Sequence, residues 1–170
     1  QTWRQRALDF EVARDIVRQV YLDRGHLDVQ VAPPRLDTVD DGGAAVLAMT
    51  ISEGPVYTVT AIQITGVTLF PPRELEIAVS AATRPGLVAS RAAIQRAARL
   101  LRDYYGHRGY VDTVVRPTTL AAGDDPEAPG IVLRFDVQES VLAHVRSIAI
   151  RGNTRTKDKV IRREIGLVPG

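Results

Sequence analysis

The sequence predicts an α+β fold built from a repeated unit, and three observations carry that prediction. The chain resembles itself: YLDRGHLDVQVAP (21–33) lies over YGHRGYVDTVVRP (105–117) at an offset of 84, with six of thirteen positions identical. Further along, VLAMTISE (46–53) lies over VLRFDVQE (132–139) at an offset of 86. Val59, Ile62, Ile64 and Gly66 lie over Val145, Ile148, Ile150 and Gly152 at the same 86. The two added residues fall in a polar loop, DDPEAPG (124–130), and Pro85-Gly86 and Pro169-Gly170 return to 84. Offsets that change only in loops are the mark of a duplicated fold. Within each unit, alternating segments and segments with helical spacing follow in a fixed order.

Residues 56–65 alternate as a strand, and a parity break near Thr60 and Ala61 predicts a bulge. Gly66 ends the strand. Pro71-Pro72 suit the first turn of a helix, where a missing N–H costs little. That helix carries Leu75, Val79 and Ala82 and stops before Pro85-Gly86. A longer helix is predicted over 89–105, with Ile94, Ala97, Leu100, Leu101 and Tyr104 on one face. Phe10, Ala13, Ile16, Val17 and Val20 hold the matching places upstream. Gly106 and Gly109 punctuate its end. Strands at 110–116 and 131–138 form a hairpin, with Leu133, Phe135 and Val137 facing the core as Leu47, Met49 and Ile51 do in the first copy.

Element directions then give a three-stranded mixed sheet in the order first, third, second, with two helices on one face. The first and third strands are parallel and the hairpin is antiparallel. The second strand is left as an exposed edge in both copies. By this ruler residues 1–55 are the C-terminal part of a repeat, 56–140 a complete repeat, and 141–170 the N-terminal part of the next. Gln1 leads straight into the helical pattern, so a natural start upstream is expected.

Composition narrows the chemistry. The 170 residues are 45% hydrophobic, enough for one ordinary domain or two small ones. Twenty-two Lys+Arg nearly balance 20 Asp+Glu, so a nucleic-acid interface would need a local patch. Without cysteine there is no disulfide, thiolate metal site or cysteine nucleophile. The longest uncharged run, 54–72, holds three prolines, two glycines, four threonines and a glutamine, and reads as strand plus turn rather than a membrane span. His26, His107 and His144 stand in no metal-binding spacing, and no GxSxG, GxGxxG or phosphate-loop motif occurs. Asp124, Asp125 and Glu127 lack the alternation of a calcium loop. No catalytic residue, metal or cofactor is therefore expected. GHRG (106–109) has the GxxG form of KH domains, but here it leads from helix to strand and reads as a helix cap.

The last stretch, RGNTRTKDKVIRREIGLVPG, is the second copy of TGVTLFPPRELEIAVSAATRPG (65–86). The earlier copy lacks most of its charges, so the fold does not require Arg155, Lys157, Lys159, Arg162 and Arg163. They form either a solvated face or a contact to an acidic partner or anionic lipid. Thr156 is the expected N-cap of the helix, with Val160, Ile161 and Ile165 on its apolar side.

YYGHRGYVDTVV (104–115), YLDRGHLDV (21–29), TISEG (50–54) and IAIRGNTRTKDKVIRREIGLVPG (148–170) together resemble the POTRA (polypeptide-transport-associated) repeats of BamA-type outer-membrane assembly proteins. In that family the pattern of Gly152, Asn153, Thr156, Asp158, Val160, Ile161, Arg162, Arg163 and Glu164 is typical of the repeat nearest the membrane barrel. The resemblance implies the end of a third repeat, a fourth, and the start of a fifth. It implies a place on the periplasmic side of the Gram-negative outer membrane. It also implies docking of unfolded outer-membrane proteins and accessory assembly lipoproteins, alongside the protein's own C-terminal β-barrel, and no nucleic acid. The physics of docking would be strand addition to an unpaired edge. The edges expected are Leu27, Asp28, Val29, Gln30 and Val31, and Tyr110, Val111, Asp112, Thr113, Val114 and Val115. Competing readings are the POTRA region of a two-partner secretion or related translocation transporter, and a repetitive αβ nucleic-acid-binding protein. Because each part-repeat lacks what the other contains, residues 142–168 of one molecule are expected to complete residues 7–53 of another by domain swapping.

Overall fold

The structure is a computed structural model that describes residues 3–39, 44–123, 125, 129–144 and 146–165. Helix α1 (Trp3–Asp23) is followed by β1 (Gln30–Val31), β2 (Arg35–Val39), β3 (Ala44–Ala48) and β4 (Ile51–Ser52). The central unit is β5 (Thr58–Thr65), α2 (Pro72–Ser80), α3 (Arg91–Gly106), β6 (Val114–Ala122) and β7 (Gly130–Gln138), and helix α4 (Asp158–Ile165) comes last.

In the central unit β5 pairs parallel with β7, and β7 pairs antiparallel with β6, giving the order β5-β7-β6. The register slips between Val59 and Ala61, at the parity break the sequence carries. The alternation of β7 puts Leu133 and Phe135 on the helix side, where both are fully buried. Leu75 and Val79 of α2 and Ala97, Leu101 and Tyr105 of α3 meet them there, with Val59 from β5. This core is what holds the sheet and the helix pair together, at roughly 1.5–3 kcal/mol for each large apolar side chain buried. The opposite sheet face is polar: Thr65 Oγ1 donates to Asp136 Oδ1 at 2.7 Å, and Arg134 reaches Gln63 Oε1 at 3.4 Å. Pro72 opens α2 after an extended Pro71, and Ser90 Oγ caps α3 by accepting from Ala93 N–H.

The first part of the chain is less enclosed. β1 pairs with β4 and β2 with β3, both antiparallel. Leu47, expected to face a core, is 39% exposed, while Met49 and Ile51 are half-buried. On α1, Ile16 and Val20 are also exposed. Their counterparts on α3, Leu100 and Tyr104, are half-buried beside α2, and among the described residues no helix takes the place of α2 against α1. The strand that the repeat implies as the counterpart of 56–65 is likewise not formed over 146–150, and Val145 lies outside the described residues. Its counterpart β5 is held by pairing with β7, and among the described residues no such partner lies beside 146–150. Thr156 is not the cap of α4: Lys157 C=O accepts from Val160 N–H at 2.9 Å, and Asn153 Nδ2 bridges Thr156 O and Asp158 Oδ1.

Successive units meet through one main-chain contact made twice. Gly25 C=O accepts from Tyr57 N–H at 2.9 Å, and Gly109 C=O accepts from Ala143 N–H at 2.8 Å. The two glycines are repeat equivalents, as are the two donors. The first joint adds side chains: Asp23 Oδ1 accepts from Ala92 N–H at 2.8 Å, and the Tyr57 hydroxyl donates to Asp28.

Candidate functional site

A sheet of three strands has two outer edges, and β6 is one of them. Along a regular strand the side-chain face and the hydrogen-bonding edge alternate together, so residues sharing a face share an edge. Val59 fixes the sense. It is buried on the helix side, and its N–H and C=O turn away from β7, to Leu87 O and from Gly86 N, both at 2.8 Å. The parallel β7 repeats that sense, so its polar-face residues bond to β6. The helix-facing residues of β6, Val115, Pro117, Thr119 and Ala121, therefore turn their backbone outward. Pro117 fits this placement, since a residue without N–H costs no ladder bond there. Among the described residues no backbone group of β6 bonds to any strand but β7. The outer edge thus offers N–H groups at Val115, Thr119 and Ala121, with a gap at Pro117.

A groove of about 690 Å³ runs between α3 and the start of this edge, lined by Arg99, Arg102, Asp103, His107, Asp112 and Val114. A smaller groove of about 290 Å³ occupies the repeat-equivalent place between α1 and β1, lined by Arg14, Asp15, Arg18, Val29, Gln30 and Val31. Arg18 and Arg102 hold equivalent positions in the two. Arg14 is drawn to Glu11 at 2.6 Å and to Asp15 at 3.9 Å.

The structure brings only part of the expected edge to an edge. Val114 and Val115 begin β6, and Gln30 and Val31 form β1. Tyr110, Val111, Asp112 and Thr113 precede the strand: Tyr110 N–H bonds to Tyr105 O at 3.1 Å and Thr113 N–H to Tyr110 O at 3.3 Å. Thr113 is buried, its hydroxyl 3.2 Å from Ser140 Oγ. Leu27 and Asp28 belong to the joint instead, and Val29 is buried in the turn before β1. Leu27 packs on the core of the central unit, Asp28 takes the Tyr57 hydroxyl, and Val29 is 3% exposed with its N–H on His26 O. Local turn bonds consume these backbone groups before the strands begin. Sequence reasoning missed the edge over 116–122. The signal lay in the partner strand: a third strand of the length of 131–138 needs an equally long second one.

A carboxylate holds this end of the unit in shape. Glu139 accepts from the backbone N–H of Thr68 and of Leu69, from the Thr68 hydroxyl, and from the Tyr105 hydroxyl at 2.6 Å. Burial alone would raise its pKa, but these donors outweigh it and lower it to about 2. Tyr105 is pushed up, first by burial and then by its bond to Glu139. The same pair recurs upstream, where a hydrogen bond to Glu53 raises Tyr21. Arg108 stacks on the Tyr104 ring, 3.6 Å from its centroid, and donates to Tyr104 O.

The basic residues of the last stretch are exposed and form no ion pair among the described residues. Arg162 donates to Ile148 O at 2.8 Å, while Arg155 and Lys157 lie in the turn before α4, and Lys159 and Arg163 on it.

Strand, two helices and an antiparallel hairpin, with the first strand parallel to the third and the third in the middle of the sheet, define the POTRA class of repeat. Residues 57–140 match the family model of that class, described as surface antigen variable number repeat. The central unit is a POTRA repeat, and nearly the whole chain is similar to BamA-type outer-membrane protein assembly factors. It is 29% identical over 159 residues to outer membrane protein assembly factor BamA of Neorickettsia risticii, covering 91% of this chain and 20% of that protein. It is 22% identical over 151 residues to BamA of Nitratidesulfovibrio vulgaris, covering 88% of this chain and 18% of that protein. The chain thus spans about a fifth of these relatives. Its fold superposes on the crystal structure of Haemophilus influenzae BamA POTRA3-5 with a TM-score of 0.72 and 22% identity, over 95% of this chain and 62% of that one.

Proposed function

We propose that this chain is a periplasmic docking segment of an outer-membrane β-barrel assembly protein, receiving extended stretches of unfolded outer-membrane proteins by strand addition. The observation that carries the reading is the unpaired outer edge of β6 beside its groove. Main-chain recognition suits clients of many sequences. Similarity to named assembly factors supports the class of client. Accessory lipoproteins and the protein's own barrel are the remaining partners in this reading. Arg155, Lys157, Lys159 and Arg163 are exposed toward such a partner or a lipid surface. Residues 1–55 then close a third repeat, 56–140 form a fourth, and 141–170 open a fifth.

Thr119→Pro removes one outward N–H without touching the ladder, as Pro117 already does. One lost hydrogen bond, about 1 kcal/mol, is expected to weaken binding of an extended peptide about fivefold relative to Thr119→Ala. Fluorescence anisotropy with a labelled peptide measures it. Equal affinities for the two variants would rule out addition at β6.

Self-association follows from the same repeat logic. In the central unit α2 packs on α3, whereas the apolar faces of α1 (Val12, Ile16, Val20) and α4 (Val160, Ile165) are exposed. Helix α1 is the equivalent of α3, and α4 of α2. The chain is therefore expected to form a concentration-dependent exchanged dimer in which α4 of one molecule covers α1 of another. Light scattering that finds only monomer at high concentration would contradict this.

A further inference from the structure

We infer that the cavity between β5 and the C-terminal end of α2 binds a small zwitterion, an ammonium joined by a short carbon chain to a carboxylate or phosphate. The cavity measures about 420 Å³, and Ile62 and Pro85 give it an apolar wall. Its polar side is built by Glu76 and Ser80 of α2 and by Thr83 and Arg84 just beyond. The helical path carries past Ser80, because Ala82 N–H and Thr83 N–H both donate to Val79 O, at 2.9 and 3.1 Å. Glu76 and Ser80 are four apart, and Ser80 and Thr83 three apart, so these side chains share one face.

The Thr83 hydroxyl is what points to a ligand. Thr83 is 1% exposed, yet its Oγ1 bonds to no protein group among the described residues. No fully enclosed side-chain oxygen or nitrogen lacks a partner there, so this hydroxyl opens into the cavity that the residue lines. A hydroxyl held out of water without a partner costs free energy, which an acceptor in the cavity would recover. Ser80 has the opposite character. Its Oγ donates to Ile77 O at 2.7 Å, so toward the cavity it can only accept. Glu76, one turn before it, also only accepts, and Arg84, next to Thr83, only donates. Neither charge has an ion-pair partner among the described residues. The cavity thus has a negative, accepting end and a positive, donating end. Ser80 and Thr83 stand roughly 5–6 Å apart at their Cβ atoms, too far for an α-amino acid, whose charged groups share one carbon. A short run of methylenes between the charges fits the spacing, and Ile62 and Pro85 give it an apolar surface to lie on.

The site asks nothing of the β6 edge, and small probes test it alone. The ¹⁵N-labelled chain is titrated with γ-aminobutyrate. Saturable amide shifts are expected at Ile62, Ser80, Thr83 and Arg84, with a Kd on the order of 1 mM. Glycine lacks the spacing, butyrate the ammonium and butylamine the carboxylate, and each is expected to bind at least fivefold more weakly. Glu76→Gln and Arg84→Gln, at exposed side chains, are each expected to weaken γ-aminobutyrate at least fivefold. Thr83→Val keeps the shape, removes the hydroxyl and is expected to cost about fivefold, whereas Thr83→Ser keeps both hydroxyl and affinity. O-phosphoethanolamine binding more tightly than γ-aminobutyrate would make the anion a phosphate. Sedimentation of the chain with phosphatidylethanolamine vesicles, lost in Arg84→Gln, would then assign a lipid headgroup, and its absence a free compound. Shifts that never saturate, an equal response to butyrate or butylamine, or an affinity unchanged in Glu76→Gln, Arg84→Gln and Thr83→Val would overturn the site.

Discussion

Gly66→Ala is expected to remove about 4 kcal/mol of stability, a large share of what a domain of this size holds. Gly66 sits at φ +76°, and a Cβ built on it falls 2.1 Å from the carbonyl oxygen of Val137. The neighbour is backbone of the central strand and cannot swing aside as a side chain would. Either β7 shifts, disturbing both of its ladders, or the turn out of β5 opens. Gly86→Ala is the control. It has a similar φ of +88° but nothing within 4 Å of the added carbon, so only the left-handed backbone cost of about 1 kcal/mol remains. Urea unfolding of both variants separates strain from collision. Equal losses would mean that the contact with Val137 is relieved at no cost.

The second large effect is at Glu139. Its replacement by alanine orphans the Thr68 and Leu69 N–H groups and the Tyr105 hydroxyl together. Water reaches part of this site, which lowers the cost, and about 2 kcal/mol is expected at neutral pH. The pH dependence has a definite sign. The folded pKa, about 2, lies below the ordinary 4.5, so the contribution is present above 4.5 and is lost as pH falls toward 2. The gap between wild type and Glu139→Ala should therefore narrow from pH 4.5 downward, read by chemical denaturation at several pH values. A gap that stays constant down to pH 2 would mean the carboxylate charge is not what holds the turn.

Much of the central unit was legible from side-chain period alone. The parity break at Thr60 marked a real bulge because a strand with one buried face cannot slip without turning its apolar residues outward. Leu133, Phe135 and Val137 went to the core for the same reason. The start of β6 was misread because Tyr110–Thr113 carry β-prone residues while their backbone groups close turns back onto Tyr105 and Tyr110. Tyr110 is also held by rings, against Phe70 and Tyr105. The edge expected at Leu27–Val29 fails for a further reason: Leu27 and Asp28 serve the contact between units, which is visible only in three dimensions, while Val29 closes a turn onto His26. Glu139 draws on Thr68 and Tyr105, far from it in sequence, which no local pattern encodes. Its recurrence as Glu53, paired with Tyr21 as Glu139 is with Tyr105, was the available clue.

The joint between units has a consequence for how such a chain can vary. Its invariant part runs from a glycine carbonyl to a backbone amide, and the amide belongs to Tyr57 in one case and Ala143 in the other. A connection made of main chain asks nothing of the donor's side chain. Units joined this way can be copied, deleted or reordered while their surfaces diverge, as long as the glycine and the spacing to the next strand persist. Length of the array and identity of its surfaces become independent variables, open to separate adjustment.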